Sequence, residues 1–216
     1  DIINGTFDWV YEEEFFLRDG FRWSPDGRYI AYWQLNTEGV PETTLVNNTD
    51  ALYPKLQIIK YPKTGVMNAA CRVGAVEVAT GKTQWIEYPG DPRNIYFFDL
   101  EWPEGSPEIF LQQLNRLQNT NLVMMANPVT GKVRTLFTER DDAWVEPHQN
   151  LKWIENGQRF FIESQRDGWD RLYLVDAENG KMEAVSGKGH DVTAVSLVDE
   201  KGKWVYYMAA PKNPTR

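Results

Sequence analysis

The chain has 216 residues, 42% of them apolar and 13% aromatic, enough for one large β domain or two small ones around a substantial core. Its formal net charge is −8 with no basic block, which argues against nucleic-acid binding, where clustered Lys and Arg are needed, and is compatible with a cationic ligand. The lone Cys71 excludes a disulfide within the chain, the only histidines, His148 and His190, make no zinc-spaced cluster with it, and no apolar run is long enough to span a bilayer. Nine Trp and many Val, Ile, Tyr and Phe favour strands over helices. There is no signal peptide, and the first residue is Asp1, not Met, so the sequence reads as an excised piece of a longer chain.

The first distinctive stretch is Asp8-Trp9-Val10-Tyr11-Glu12-Glu13-Glu14-Phe15. Trp9, Tyr11, Phe15 and Phe16 want a packed surface beneath them. A short helix or turn anchored by those rings holds the three carboxylates in fixed positions. Neighbours on a helix point about 100° apart, so two adjacent glutamates can flank one small cation. A primary ammonium has three donors and no acceptor, which two carboxylates satisfy together while the cation relieves their repulsion. The alternative is a solvated acidic turn at a helix start, where glutamates favour the helix dipole. The octet alone leaves both readings open.

A repeat follows. Trp23-Ser24-Pro25-Asp26-Gly27 leads into Tyr29-Ile30-Ala31-Tyr32, and similar starts recur at Trp102-Pro103-Glu104-Gly105, Trp153-Ile154-Glu155-Asn156-Gly157 and Val198-Asp199-Glu200-Lys201-Gly202. Three units carry a second marker: Ala79-Thr80-Gly81-Lys82, Val129-Thr130-Gly131-Lys132 and Glu178-Asn179-Gly180-Lys181, with glycines 50 and 49 residues apart. Apolar runs flank each, and glycine supplies the positive φ that a tight hairpin demands. Each unit reads as four antiparallel strands per roughly 50 residues, the pattern of a β-propeller blade. A β-sandwich also spaces short strands evenly, but its turns do not usually repeat the same residues at the same phase.

The predicted fold class is therefore all-β, a partial β-propeller of about three and a half four-stranded blades with a short helical insertion near the N-terminus. The divisions are an insertion at 1–20, a blade at 21–88 with a loop insertion at 36–68, blades at 95–138 and 146–187, and the first half of a further blade at 190–210. Three and a half blades do not close a ring of about 4–8. Either the rest of the ring belongs to a parent chain or copies of this piece complete one another as a homo-oligomer.

These residues resemble the dipeptidyl peptidase IV family of serine peptidases, in a bacterial-type form. The resemblance runs through Asn4-Gly5, Asp8-Trp9-Val10-Tyr11-Glu12-Glu13-Glu14, Trp23-Ser24-Pro25-Asp26-Gly27, Val40-Pro41, Tyr61-Pro62-Lys63-Thr64-Gly65 and Asn68, and on to Gly168-Trp169-Asp170-Arg171-Leu172-Tyr173. It implies an eight-bladed propeller stacked on a C-terminal α/β-hydrolase domain, with the active site in the cavity between them. Such enzymes release dipeptides from peptide N-termini, with Pro or Ala in the second position. The second and third glutamates of the motif hold the substrate's α-ammonium, which here are Glu13 and Glu14; Glu12 is less clearly a direct contact. The compartment implied is periplasmic or exported, and no cofactor or metal is implied.

The chain departs from the family in places. It has no Gly-x-Ser-x-Gly nucleophile elbow, so no catalytic residue is assigned to it, and the hydrolase domain is expected in the parent chain. The family's carbonyl-binding arginine is expected before Asp1. Trp144-Val145 is followed directly by Glu146-Pro147-His148, where mammalian-like members carry an Arg-Phe-Arg element, and Leu17 is apolar where some relatives have a hydroxyl. Tyr61-Pro62-Lys63 reads as a structural loop on the first blade, Cys71 as a small strand residue, and both histidines as structural or surface residues. The competing function is a non-catalytic propeller that binds proteins, since the fold hosts many functions.

Overall fold

The first strand of the fold is broken in two by the stretch that carries the glutamates. In the computed structural model, which describes residues 1–211, β1 (Ile2–Asn4) is followed by α1 (Trp9–Glu14), β2 (Phe21–Trp23) and β3 (Tyr29–Asn36). Both β1 and β2 lie antiparallel to β3, with Ile2 opposite Asn36 and Asn4 opposite Gln34, then Phe21 opposite Tyr32 and Trp23 opposite Ile30. Between them the chain leaves the sheet at Gly5 and re-enters at Gly20. Gly5 N–H donates to Trp33 C=O at 3.0 Å, Trp33 N–H to Gly20 C=O at 3.0 Å, and Gly20 N–H to Gly5 C=O at 3.1 Å. A Cβ on Gly20 would lie 2.8 Å from the Gly5 carbonyl carbon and 2.9 Å from Thr6 N, so this neck admits only glycine there. Residues 2–4, expected within the insertion, are thus part of the sheet.

The chain forms two compact units, one of Asp1–Phe97 with Pro128–Lys132, the other of Phe98–Asn127 with the residues from Val133 on. In the first, β4 (Glu42–Asn47) and β5 (Lys55–Lys60) pair with each other from Glu42–Lys60 to Asn47–Lys55. The expected loop at 36–68 is therefore a two-stranded arm, built on Thr, Leu, Val and Ile, which suit a pleated backbone. β6 (Ala70–Glu77) pairs with β3 along its whole length and β7 (Thr83–Trp85) completes the sheet. Alternation decides its core: Ala31, Trp33 and Leu35 of β3 and Cys71, Val73 and Ala75 of β6 are buried. Trp33 Nε1–H donates to Phe97 C=O at 2.9 Å, so even this buried indole is satisfied.

β8 (Ile95–Glu101) starts in the first unit and ends in the second, where β9 (Ile109–Asn115), β10 (Thr120–Ala126) and β11 (Val133–Arg140) follow it in a sheet ordered β11-β10-β9-β8. β12 (Lys152–Ile154), β13 (Arg159–Ser164), β14 (Arg171–Asp176) and β15 (Met182–Ala184) form the next sheet, in chain order. Phe110, Val123, Met125, Leu136, Phe160, Ile162, Tyr173 and Val175 make one apolar cluster from both sheets. Among the described residues β16 (Val192–Asp199) and β17 (Trp204–Ala209) pair only with each other, and Val192 packs with Ile154, Phe161 and Leu172. The repeated turns share one conformation: Gly81, Gly131 and Gly180 have φ of 71°, 75° and 72°. Close approach fixes two of them as well, because a Cβ would lie 2.4 Å from Trp85 O at Gly131 and 2.0 Å from Leu136 O at Gly180.

Candidate amine-binding site

Aromatic packing holds α1 in place. Asp8 is its N-cap, and the Asp8 carboxylate accepts from Tyr11 N–H at 3.2 Å. Burial pushes the Asp8 carboxyl above its ordinary range, against the opposing pull of that amide. Tyr11 is the anchor and is only 2% exposed. Its ring stacks on Phe7 at 5.4 Å and meets Tyr96 edge-on at 6.3 Å. Its hydroxyl accepts from Phe97 N–H at 3.2 Å and lies against the Cys71 thiol. Burial pushes that thiol up to about 12, so Cys71 stays protonated near neutral pH and is no nucleophile.

Two elements from further along the chain meet this helix. Trp9 packs on Tyr61 at 4.2 Å and Phe15 on Tyr96 at 5.3 Å. The Tyr96 hydroxyl accepts from Asn68 Nδ2 at 2.7 Å, and Asn68 C=O accepts from Arg93 Nη1 at 2.7 Å. Tyr61, expected to pack on the first blade, packs on α1 itself.

The carboxylates stand at the other end of the helix. Glu12 is half-buried, whereas Glu13 and Glu14 are exposed. Phe16 takes a left-handed φ of 58° and reverses the chain, and Leu17 N–H donates to Tyr11 C=O at 3.1 Å. The reversal brings Arg18 back alongside α1. Arg18 Nη1 donates to Glu12 Oε2 at 3.1 Å, and Arg18 Nη2 lies 3.9 Å from Glu13 Oε1. The Glu14 carboxylate has no ion-pair or hydrogen-bond partner among the described residues. Helix-dipole stabilisation accounts for Glu12, in the first turn, and not for Glu13 and Glu14, which sit at the end where negative charge is disfavoured.

Sequence reasoning missed Arg18, Tyr96 and Phe97. A signal for Arg18 was present: it is the only cation between Gly5 and Gly20, in a stretch holding Asp8, Glu12, Glu13, Glu14 and Asp19. Tyr96 and Phe97 carried none, because one acts through a ring from a distant strand and the other through its backbone amide.

In the second unit, a cavity of about 290 Å³ is lined by Glu139, Trp144, His148, Glu163, Arg166 and Asp170. His148 is buried there. Its Nδ1 lies 2.9 Å from Glu163 C=O, its Nε2 lies 3.7 Å from Glu139 Oε1, and burial holds the ring below the usual imidazole range despite Glu139. Neither Glu13 nor Glu14 lines this cavity. Among the described residues no three of His, Cys, Asp and Glu are placed to share a metal ion.

Successive antiparallel meanders with the same glycine turn, two of four strands and one whose first strand is split in two, define a β-propeller protein, here a partial one with a short helical insertion. The family model described as the dipeptidyl peptidase IV (DPP IV) N-terminal region matches residues 1–216, and the chain belongs to that family. It is 30% identical over 228 residues to dipeptidyl peptidase 4 of Trichophyton equinum, with all of this chain and 29% of that one covered. The match to dipeptidyl peptidase 4 of Arthroderma otae has the same identity and coverage, 30% and 29%. The crystal structure of Porphyromonas gingivalis dipeptidyl peptidase 4 superposes on 99% of this chain and 30% of its own length, with a TM-score of 0.88 and 29% identity. The chain thus spans about 30% of the length of these relatives.

Proposed function

We propose that this chain is the amine-recognition portion of a serine-type dipeptidyl peptidase, and that Glu13 and Glu14 grip the α-ammonium of the substrate's first residue. A C-terminal α/β-hydrolase domain of the parent chain would supply the catalytic serine, and the protein would act in the periplasm or outside the cell. The observation that carries this reading is the pair itself: adjacent, exposed carboxylates on a helix whose Tyr11 is 2% exposed, one of them without a partner among the described residues. An enzyme that counts two residues from an amine needs a fixed end-stop for that amine. A hydrogen bond to a charged group contributes roughly 1.5–3 kcal/mol, so Glu13→Ala or Glu14→Ala in the full-length protein should lower kcat/KM for dipeptide release about tenfold to a hundredfold or more. A desamino analogue lacking the α-amine should be turned over equally by parent and variants. Dipeptide release unchanged in both variants would falsify the assignment.

The arm formed by β4 and β5 supports a second part of the proposal, pairing of this chain with another copy. Leu45, Val46, Leu56 and Ile58 on its strands, with Leu52 and Tyr53 near its tip, are exposed large apolar side chains. The non-catalytic alternative would use this same arm to hold a different protein. Light scattering decides: Leu56→Glu should lower the mass of the full-length protein from a multiple of the chain to that of one chain. An unchanged mass would remove the arm from any self-association.

A further inference from the structure

Arg18 poses a difficulty for the proposed amine site. It is a permanent cation whose guanidinium is within reach of two of the three carboxylates, and it competes for the charge that the substrate's ammonium needs. Its two distances are unequal: the shorter contact, 3.1 Å, is to Glu12 and the longer, 3.9 Å, to Glu13. Glu12 is also the carboxylate furthest from the free end of the helix and the most covered of the three. Arg18 is 62% exposed, so it is tethered by this ion pair and not by packing.

Resting on the amine-binding reading of Glu13 and Glu14, we propose that Glu12 is a parking post for Arg18. Glu12 takes no part in holding the ammonium. It holds the guanidinium off Glu13, and so leaves the second and third glutamates available to the substrate. Successive side chains on α1 turn by about 100°, so Glu12 and Glu14, two positions apart, lie on nearly opposite faces, and an arginine drawn towards Glu12 is drawn away from Glu14. Without the Glu12 charge, the nearest remaining carboxylate to Arg18 is Glu13, and a shift of the flexible side chain closes that contact. Arg18 then becomes an internal competitor of the ammonium. Glu12 is accordingly a positioning residue, acting on substrate through Arg18.

The test is a double-mutant cycle in the full-length protein, read as KM and kcat on a dipeptidyl substrate at low and high salt. Glu12→Gln should raise KM about two- to fivefold, the range an exposed ion pair reaches, with kcat little changed. Adding Arg18→Ala to Glu12→Gln should bring KM back towards the parent value, because the competitor is gone. The Glu12→Gln defect should also shrink at high salt, where exposed charges are screened. Two outcomes overturn the proposal: a Glu12→Gln variant with parental KM, or a KM defect that Arg18→Ala leaves in place, which makes Glu12 a direct or purely structural contact. The underlying reading fails separately, through Glu13→Ala and Glu14→Ala variants that release dipeptides like the parent. All four positions are at or near the surface, and a thermal unfolding curve matching the parent's checks that each variant is folded.

Discussion

The Tyr11 hydroxyl links the helix to the strand behind it. It is the acceptor for Phe97 N–H, and both groups are buried, so neither has water as a substitute partner. Tyr11→Phe keeps the rings in contact with Phe7 and Tyr96 and removes the acceptor for Phe97 N–H together with the weaker contact to the Cys71 thiol. A buried amide left unpaired costs about 1–3 kcal/mol, and urea denaturation of the variant should show a loss of that size. A midpoint equal to the parent's would mean that the amide finds another acceptor. The same contact explains why this part of the site was hidden in the sequence. A Trp-Val-Tyr-Glu-Glu-Glu run advertises its carboxylates, but the residue that secures Tyr11 contributes a backbone N–H, which has no sequence signature. Arg18 is legible as a lone cation among five carboxylates, but its partner is not, because six residues separate it from Glu12. Only the left-handed Phe16, a conformation uncommon for a bulky residue, turns that separation into contact.

At the scale of elements, the repeat was legible because it is written in glycine. Gly81, Gly131 and Gly180 need positive φ, and two of them press against a carbonyl oxygen, so few substitutes exist and the spacing survives in the residues. The arm was not legible. Its strands are exposed on both faces, so β4 lacks the alternation of buried and open positions that marks β3. The split first strand is not legible for a related reason, since three residues are too short for any period. What the sequence does mark is the neck, Gly5 and Gly20. Gly20→Ala puts a methyl within 2.8 Å of backbone that cannot rotate away. Overpacking of this kind costs about 1–3 kcal/mol, and here it also displaces the base of α1. Gly81→Ala, with nothing within 4 Å of the added Cβ, is the control, costing only the roughly 1–2 kcal/mol of left-handed backbone. If Glu13 and Glu14 bind the ammonium, Gly20→Ala should raise KM for dipeptide release while Gly81→Ala leaves it alone. Equal KM values would show that the neck does not set the position of the helix.

Taken whole, the molecule contains sheets in two states of completion. β9 is buried at six consecutive positions and has a partner on each side. Among the described residues β17 has a partner on one side only, and none of its residues is fully buried. Leu197, Trp204, Tyr206 and Met208 stand exposed at 57%, 65%, 51% and 60% on this last pair. A two-stranded hairpin is marginal in water unless a further strand or layer covers it. Val192 does pack with Ile154, Phe161 and Leu172, so β16 has one covered face to hold it. Among the described residues no strand lies along the outer edge of β17, and an uncovered strand edge is the usual starting point for unwanted association. We therefore expect β16 and β17 to be the first half of a further blade, completed by other strands in the full-length protein. Produced alone, residues 1–216 should bind a hydrophobic dye, and the amides of residues 192–209 should exchange far faster than those of β9 and β10. In the full-length protein the same amides should be protected to the level of the other sheets. Protection already equal in the isolated piece would mean that the half-blade is self-sufficient, or that copies of the piece cover it, and a concentration series of the exchange rates separates those two outcomes.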